Sequence, residues 1–224
     1  MNANIYLWRE ISSVPEHPGV YAWYYQPTLT EFDVKNIIDQ INSYKSDDKI
    51  AEAKKLVEAF LQRNLMQYFA EHPYQAMIKG PLKPSYTGQL SHESRPSESL
   101  VERIVSDSTR LLQIKKFLDR RDPLFGSPIY IGMSSSLKQR LVRHKDLIEK
   151  FKQGKFSVGP GLQEDRESTP EQKRDRSFAQ EVASRNMSTG DLYVAIREIE
   201  DLNDSYVDME NLLNRIYYPL IGRN

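Results

Sequence analysis

The stretch 128–144 holds side chains that together could bind a phosphate group. Its first residues alternate apolar and aromatic side chains up to Gly132, which predicts a short buried strand ending in a tight turn. Serines 134–136 offer an N-cap, so a helix should begin at once. Arg140 and His144, four residues apart, should point the same way from neighbouring turns. A phosphate at the start of this helix would meet free backbone N–H groups, a serine hydroxyl and the Arg140 guanidinium.

Other catalytic chemistries lack the residues that they require. The chain has no cysteine, which excludes disulfides, thiolate metal sites and zinc fingers. Three further histidines, His17, His72 and His92, do not have the spacing of metal ligands. The sequence contains no Ser-His-Asp set, no Walker-type loop and no dinucleotide fingerprint. Covalent catalysis is therefore not indicated.

The charge is neutral overall but unevenly distributed. The chain carries 31 basic and 31 acidic residues, which argues against nonspecific electrostatic binding by the whole molecule. Residues 113–185 carry 16 Lys and Arg against 10 Asp and Glu, a local net charge of +6, whereas 186–224 carry 3 against 7, a net charge of −4. This pattern suits a site for a polyanion beside a divalent cation, although an ordinary solvated helix face would look the same.

Nothing in the sequence predicts membrane insertion or export. The chain of 224 residues is 39% hydrophobic and 28% charged, as is ordinary for a soluble globular protein, and no apolar run reaches membrane-spanning length. The N-terminus has no basic segment followed by an apolar core, so we expect no signal peptide. Together with the absence of cysteine, these features predict a cytoplasmic protein with no membrane partner.

Three predicted strands and a final helix must position the candidate residues. The aromatic and β-branched run Gly19–Tyr25 predicts one strand, 129–132 predicts a second, and the alternation over 191–199 predicts a third. A last helix is predicted over about 206–218. The N-terminal residues 5–13 could form a short helix or a short strand.

A long section separates the first two strands. Apolar stripes over 30–69 predict two antiparallel helices, whose stripes are either core or a surface for a partner or DNA. Residues 73–96 contain four prolines and two glycines, which predicts a loop that is plain surface or lies against a nucleic-acid backbone. Ser97 should open a further helix. Beyond the central helix, 153–176 should be a mobile loop, and a short helix should follow at 178–185.

These elements and residues resemble the GIY-YIG endonuclease superfamily. Two tyrosine motifs and the helix after the second carry the likeness: Gly19-Val20-Tyr21, Tyr130-Ile131-Gly132, and then Ser134, Leu137, Arg140, Leu141 and His144. The segment from Glu210 to Pro219, with Asn224 beyond it, is similar to the family's final helix with its metal-binding glutamate, proline and asparagine. The three blocks cover about 90 residues in the family's order.

Two features depart from the family pattern. Here 108 residues separate Tyr21 from Tyr130, whereas the family's tyrosine motifs usually lie close together. The intervening section must then be an excursion between neighbouring strands, which is feasible because the cost of loop closure grows slowly with length. The terminal Asn224 also lies farther from the proline than the family's asparagine commonly does.

The resemblance implies a fold and a domain organisation. The fold would be α+β, with a small three-stranded antiparallel sheet flanked by helices. One nuclease domain would span 1–224, and a large helical insertion would occupy 28–126. Gly19, Gly132 and Asn224 would support the site.

The resemblance also implies roles for the candidate residues. Tyr21 would be the general base for an attacking water, and Arg140 would bind phosphate oxygens. His144 would orient Tyr21 or take its proton onward, unless it is a buried structural histidine. Tyr130 either positions the phosphate or packs as a strand tyrosine, and Ser134 bonds to the phosphate or caps the helix.

The resemblance implies a metal at the final helix. Glu210 would hold one Mg²⁺ or Mn²⁺, with water and phosphate oxygens at the remaining positions. The alternative is that Glu210 is a solvent-facing helix residue.

The function expected from the resemblance is metal-dependent hydrolysis of DNA, with double-stranded DNA as the substrate of a restriction or defence nuclease. A single site would cut both strands only as a homodimer or by two sequential nicks. The rival hypotheses are a noncatalytic nucleic-acid-binding module of the same fold and a helical protein that binds another protein through residues 30–120.

Overall fold

The computed structural model describes residues 4–81, 85–92, 94–120, 126–155, 169–199 and 205–222. In chain order the strands are β1 (Asn4–Leu7), β2 (Gly19–Tyr25), β3 (Tyr74–Lys79), β4 (Ser85–Leu90), β5 (Tyr130–Ser134) and β6 (Leu192–Glu198). The helices are α1 (Glu31–Ser46), α2 (Ile50–Leu61), α3 (Glu98–Ser106), α4 (Arg110–Leu118), α5 (Leu137–Lys152), α6 (Pro170–Ser184) and α7 (Ser205–Tyr217). Across these ranges no helix is both long and apolar enough to cross a membrane.

The chain forms two compact units. We call Met1–Pro27 together with Arg121–Asn224 the sheet unit, and Thr28–Arg120 the helical unit. The sheet unit contains a four-stranded sheet, and the helical unit contains a two-stranded one.

The four-stranded sheet has the order β1, β6, β2, β5, and every neighbouring pair is antiparallel. The α+β class is thereby confirmed, but the predicted count of three strands is wrong. The additional strand lies in the N-terminal segment, for which the sequence allowed either a short helix or a short strand. Its first part is β1, which pairs with β6, and its second part, Trp8–Ser13, is a 3₁₀ turn. Four residues are too few to display a strand's alternation, so pairing with β6 decides the conformation.

The predicted strands around Gly19–Tyr25 and over 191–199 are confirmed as β2 and β6, and the strand expected at 129–132 is β5. β2 lies between β6 and β5. Most of its residues are buried, which requires that both faces of the strand are covered, as its nearly continuous apolar sequence predicts.

Helix α6 begins earlier than expected. The predicted loop 153–176 is wrong over its last residues, because a capping box at Thr169 and Gln172, with Pro170 in the first turn, starts the helix there. The middle of the predicted loop, 156–168, lies outside the described residues. The short helix expected at 178–185 forms the second half of α6, which packs against α5. The final helix is confirmed as α7.

The helical unit has an apolar core. The predicted antiparallel pair is confirmed as α1 and α2, which pack together, and α3 packs on α2. Buried side chains from these helices, from α4 and from the residue Leu29 just before α1 form the core: Leu29, Val34, Ile37, Ile41, Ala53, Val57, Phe60, Leu61, Val101, Ile104, Val105 and Leu111. Most residues of the apolar stripes predicted from the sequence therefore belong to this core or pack against it, whereas Phe69 at the end of the second stripe is exposed.

The loop predicted at 73–96 is wrong, because β3 and β4 form an antiparallel hairpin there. Of the four prolines of that section, Pro73, Pro81 and Pro96 stand outside the two strands, and Pro84 lies outside the described residues. Proline disrupts a strand only from within it, so its frequency here marks the limits of the hairpin. Ser97 is confirmed as an N-cap, although the helix it opens ends at Ser106.

Candidate functional site

Tyr21 lies in the middle of the sheet, and its side chain extends across Gly132. The register of β2 with β5 places the two residues opposite each other. A Cβ atom at Gly132 would lie 2.6 Å from Tyr21 Cζ, far inside van der Waals contact. Gly132 therefore leaves the space that the tyrosine ring occupies. Gly19 is similarly constrained, since a Cβ there would overlap the carbonyl oxygen of Arg197 on β6.

Arg140 extends from α5 into the interior, where it is only 4% exposed. Its Nε–H donates to Tyr21 Oη at 3.2 Å. One terminal nitrogen, NH2, lies 2.7 Å from Asp175 Oδ1, and the other, NH1, forms an ion pair with Glu171. The guanidinium thus joins a tyrosine of β2 to two carboxylates of α6, and it is not a helix-surface arginine.

His144 is fully buried one turn after Arg140. Trp23 Nε1–H donates to His144 Nδ1 at 3.1 Å, and His144 Nε2 lies 2.7 Å from Asp175 Oδ1. An indole nitrogen can only donate, so Nδ1 must accept and the ring proton must sit on Nε2, where it donates to Asp175. Burial lowers the pKa of His144, although the hydrogen bond and charge of Asp175 oppose that shift. His144 is accordingly a neutral imidazole.

Burial also raises the pKa of Tyr21 well above its ordinary value, and the charge of Arg140 acts in the opposite direction. His144 Nε2 lies 3.5 Å from Tyr21 Oη, but its proton is directed to Asp175. Arg140 is therefore the cation that favours the Tyr21 phenolate in this arrangement.

The N-terminus of α5 is already occupied. Leu137 N–H donates to the carbonyl oxygen of His17 at 3.0 Å, and Lys138 N–H donates to that of Pro15 at 3.2 Å. The prediction that a phosphate would meet free N–H groups here is wrong, because the segment before β2 supplies backbone acceptors first. The Arg140 guanidinium, which also belongs to the predicted phosphate site, is not bonded to the segment before β2.

The side chains of Ser134 and Tyr130 both contact other residues of the protein. Ser134 Oγ accepts from Ser136 N–H at 3.1 Å and donates to the Ser136 carbonyl oxygen at 2.9 Å, which closes the turn before α5. Tyr130 is buried, with its ring centroid 4.6 Å from that of Phe178 and 6.3 Å from that of Tyr21. Burial raises the pKa of Tyr130. Tyr130 thus packs within the cluster, as one of its two predicted alternatives requires.

Asp175 is the residue that reasoning from the sequence missed. It is 0% exposed and contacts Arg140, His144 and, at 3.4 Å, NH1 of Arg143. The sequence did contain a signal for it. The capping box at Thr169 starts a helix on which positions 175, 178, 179 and 182 share one buried face.

Glu210 lies on α7, with its side chain 12% exposed and Oε1 4.0 Å from NH1 of Arg174. Burial raises the pKa of Glu210, and the charges of Arg174 and Arg140 oppose the shift. Glu210 therefore lies within electrostatic reach of Arg140, which links α7 to the cluster around Tyr21. Asn224, which was predicted to support the site, lies outside the described residues.

Glu210 offers a single carboxylate to a metal ion. Among the described residues, no three His, Cys, Asp or Glu side chains converge into a metal-binding group. A partly hydrated Mg²⁺ or Mn²⁺ needs only one or two carboxylates when substrate phosphate and water complete its coordination. Glu210 fits that requirement as a single carboxylate.

The structure brings Tyr21, Tyr130, Arg140 and His144 into one buried cluster and adds Asp175 to it. Comparison with known proteins gives no match to this chain among family models, curated proteins or solved structures. This cluster, together with Glu210, is therefore the candidate functional site of the chain.

Proposed function

We propose that this chain is a metal-dependent endonuclease of the GIY-YIG type that hydrolyses DNA phosphodiester bonds. The observation that carries the proposal is the 3.2 Å contact from Arg140 Nε to Tyr21 Oη. This contact joins an arginine, which can bind phosphate, to a tyrosine that could accept a proton. Gly132 makes room for the tyrosine ring, so the second tyrosine motif serves the same arrangement.

Hydrolysis of a phosphodiester needs an activated water and neutralisation of the charge that develops on the phosphate. Tyr21 would take the proton from water as its phenolate, a form that burial opposes and Arg140 favours. The same guanidinium would bind a phosphate oxygen through NH1, since its Nε–H faces Tyr21 and its NH2 faces Asp175. Arg140 would thus increase the fraction of Tyr21 that is phenolate at neutral pH, and it would also hold the substrate.

Glu210 would hold the divalent cation. When bound, Mg²⁺ or Mn²⁺ supplies charge neutralisation at the phosphate oxygens. Arg174, whose NH1 lies 4.0 Å from Glu210 Oε1, is a cation that the metal would replace as the partner of this carboxylate. Metal binding would also favour the ionised carboxylate, against the effect of burial on its pKa.

The substrate phosphate would approach Arg140 from the side of Glu171. Glu171 is 54% exposed, whereas Asp175 is 0% exposed, so Glu171 is the Arg140 partner that can leave toward solvent. An incoming phosphate would then take the place of the Glu171 carboxylate. The local net charge of +6 over 113–185 would favour binding to the DNA backbone.

Double-stranded DNA is the proposed substrate, and a restriction or defence role is the proposed context. No separate DNA-binding zinc finger is available in a chain without cysteine. One active site per chain cuts one strand at a time, so a double-strand break requires a homodimer or two sequential nicks.

The test is cleavage of supercoiled plasmid by the purified protein with Mg²⁺ or Mn²⁺, compared with Glu210→Gln. Loss of the carboxylate that holds the metal should slow nicking by about 100-fold or more, because metal charge stabilisation amounts to several kcal/mol. Asp208→Asn is the matched control, since Asp208 is an exposed carboxylate on the same helix, and it should cut like the parent protein.

Two results would count against the proposal. If the parent protein cuts neither DNA nor RNA with either metal and behaves like Glu210→Gln, the chain is not a nuclease. Retained DNA binding in a gel-shift assay under those conditions would instead favour the noncatalytic binding module.

A further inference from the structure

The buried carboxylate of Asp175 contacts two residues of the proposed site without itself being placed to bind DNA or metal. We propose that Asp175 is the positioning residue of this site, which fixes the Arg140 guanidinium and the His144 ring so that Arg140 Nε–H faces Tyr21 Oη. This inference rests on the proposed nuclease function for its kinetic consequences. Its structural part, the state of the His144 ring, can be tested without any activity.

The two carboxylate oxygens of Asp175 contact different donors. Oδ1 lies 2.7 Å from Arg140 NH2 and 2.7 Å from His144 Nε2, so a single atom receives both donors. Oδ2 lies 3.4 Å from Arg143 NH1. An ionised carboxylate can accept about four hydrogen bonds, so these three contacts are all compatible. Arg140 is thereby held at one terminal nitrogen, which determines where its Nε points.

His144 completes the arrangement from the opposite side. Its Nδ1 accepts from Trp23 at 3.1 Å, so its Nε2–H must donate, and the acceptor at 2.7 Å is Asp175. Neither ring nitrogen is then free to take a proton from Tyr21. His144 acts as a neutral donor that holds Asp175, rather than as a proton acceptor for the tyrosine.

Asp175 is in turn held in place by contacts of its own helix. It stands on α6, whose start is fixed by the capping box at Thr169 and whose buried face includes Phe178. The Phe178 ring lies 5.0 Å from the His144 ring, centroid to centroid. A buried charge without partners would be costly, and here its partners are the two residues that it positions and Arg143. Supporting residues of this kind keep a site within the narrow geometry that chemistry needs.

The kinetic test is Asp175→Asn, which keeps the shape of the side chain and removes its charge. The amide has one oxygen and one NH₂ group. Its NH₂ group must therefore face at least one of the three N–H donors that surround Asp175, and that donor loses its acceptor. We expect kcat for plasmid nicking to fall about 10- to 100-fold, the usual cost of losing an orienting partner, while KM for DNA stays near that of the parent protein. Asp146→Asn, an exposed aspartate of α5, is the matched control and should leave both constants unchanged.

The spectroscopic test is long-range ¹H–¹⁵N NMR of the histidine rings in the parent protein. The chain has four histidines, and His144→Gln identifies the signal of interest. We expect His144 to be neutral near pH 7 with its proton on Nε2, and that proton to resonate far downfield because it bonds to a carboxylate. In Asp175→Asn the Nε2–H signal should move upfield or exchange rapidly with water, whereas in Asp146→Asn it should not.

The outcomes separate this inference from the proposed function. A parent protein whose His144 carries its proton on Nδ1, or is doubly protonated at neutral pH, overturns the positioning role even if Asp175→Asn does not fold. Equal nicking by the parent and a folded Asp175→Asn overturns it while the nuclease stands. If the parent cuts no DNA but shows the Nε2–H signal and its dependence on Asp175, the proposed function fails and the positioning contact remains.

Discussion

The two units bury different kinds of side chains. The core of the helical unit is built from aliphatic residues and one phenylalanine, and its one buried polar residue among those described is Ser108. The sheet unit instead buries Arg140, His144 and Asp175 within a few ångströms of one another. Apolar burial stabilises a fold directly, whereas buried charges cost desolvation energy that their pairing only offsets. The contrast agrees with the proposal that the active site belongs to the sheet unit, while the helical unit has an ordinary apolar core.

The largest effect should come from breaking the buried ion pair with Arg140→Met. We expect the free energy of unfolding of the sheet unit to fall by about 3–5 kcal/mol, because Asp175 loses its main cationic partner inside the protein. Urea unfolding followed by tryptophan fluorescence reports on this unit, since both tryptophans, Trp8 and Trp23, belong to it.

Two variants sharpen that measurement. Arg103→Met, which removes an exposed arginine from the helical unit, should change stability by no more than about 0.5 kcal/mol. Adding Asp175→Leu to Arg140→Met should restore part of the lost stability, because it removes the unpaired buried charge but leaves the His144 Nε2–H without its acceptor. A double variant no more stable than the single one would show that the buried charge is not the cause.

An intermediate effect should come from adding one methyl group to a glycine of each unit. Gly132→Ala places a Cβ against the Tyr21 ring, so we expect a loss of about 1–3 kcal/mol and a lower Tm. Gly88→Ala, on β4 of the helical unit, meets nothing within 4 Å and should be neutral or slightly stabilising. Thermal unfolding followed by circular dichroism would measure both, and equal Tm values for the two variants would contradict the close approach of Tyr21 to Gly132.

The smallest effect should be a pH dependence carried by His144. Its pKa in the folded protein lies below the ordinary value of 6.5, so the unfolded chain binds the proton more tightly. The stability contributed by neutral His144 is therefore fully present above pH 6.5 and is lost as the pH falls through the folded-state pKa. The stability difference between the parent and His144→Gln should narrow as the pH is lowered from about 7.5. If the free energies of unfolding of the two proteins change with pH in the same way, the result would contradict a buried neutral His144 imidazole.

Much of the fold could be predicted because local patterns agree with the final structure. The aromatic run of β2 and the alternation of β6 are long enough to display strand periodicity, and the stripes of α1 and α2 match their buried faces. β1 was undecided because its four residues gain their conformation by pairing with β6, far away in sequence. The hairpin was missed because proline frequency was given more weight than proline position.

The candidate site was predictable in composition but not in its contacts. Spacing placed Arg140 and His144 on one side of a helix, yet it could not show that Asp175 meets both of them. The charged sequence around Asp175 is typical of a loop, and only its capping box and its spacing to Phe178 indicate a buried helix face. Nor could a serine-rich N-cap reveal that carbonyl groups of residues 15 and 17 would occupy the first amides of α5.

The pairing of β2 with β5 has a consequence for the order of folding. These neighbouring strands belong to the sheet unit, yet the whole of Thr28–Arg120 lies between them in the chain. The helical unit is continuous in sequence and rich in local helix contacts, so it can fold as soon as its own residues are available. The sheet must wait for a distant segment, and early collapse of the helical unit would shorten the loop that β2 and β5 have to close. We therefore expect the apolar unit to form first during synthesis, with the residues of the proposed active site assembling last.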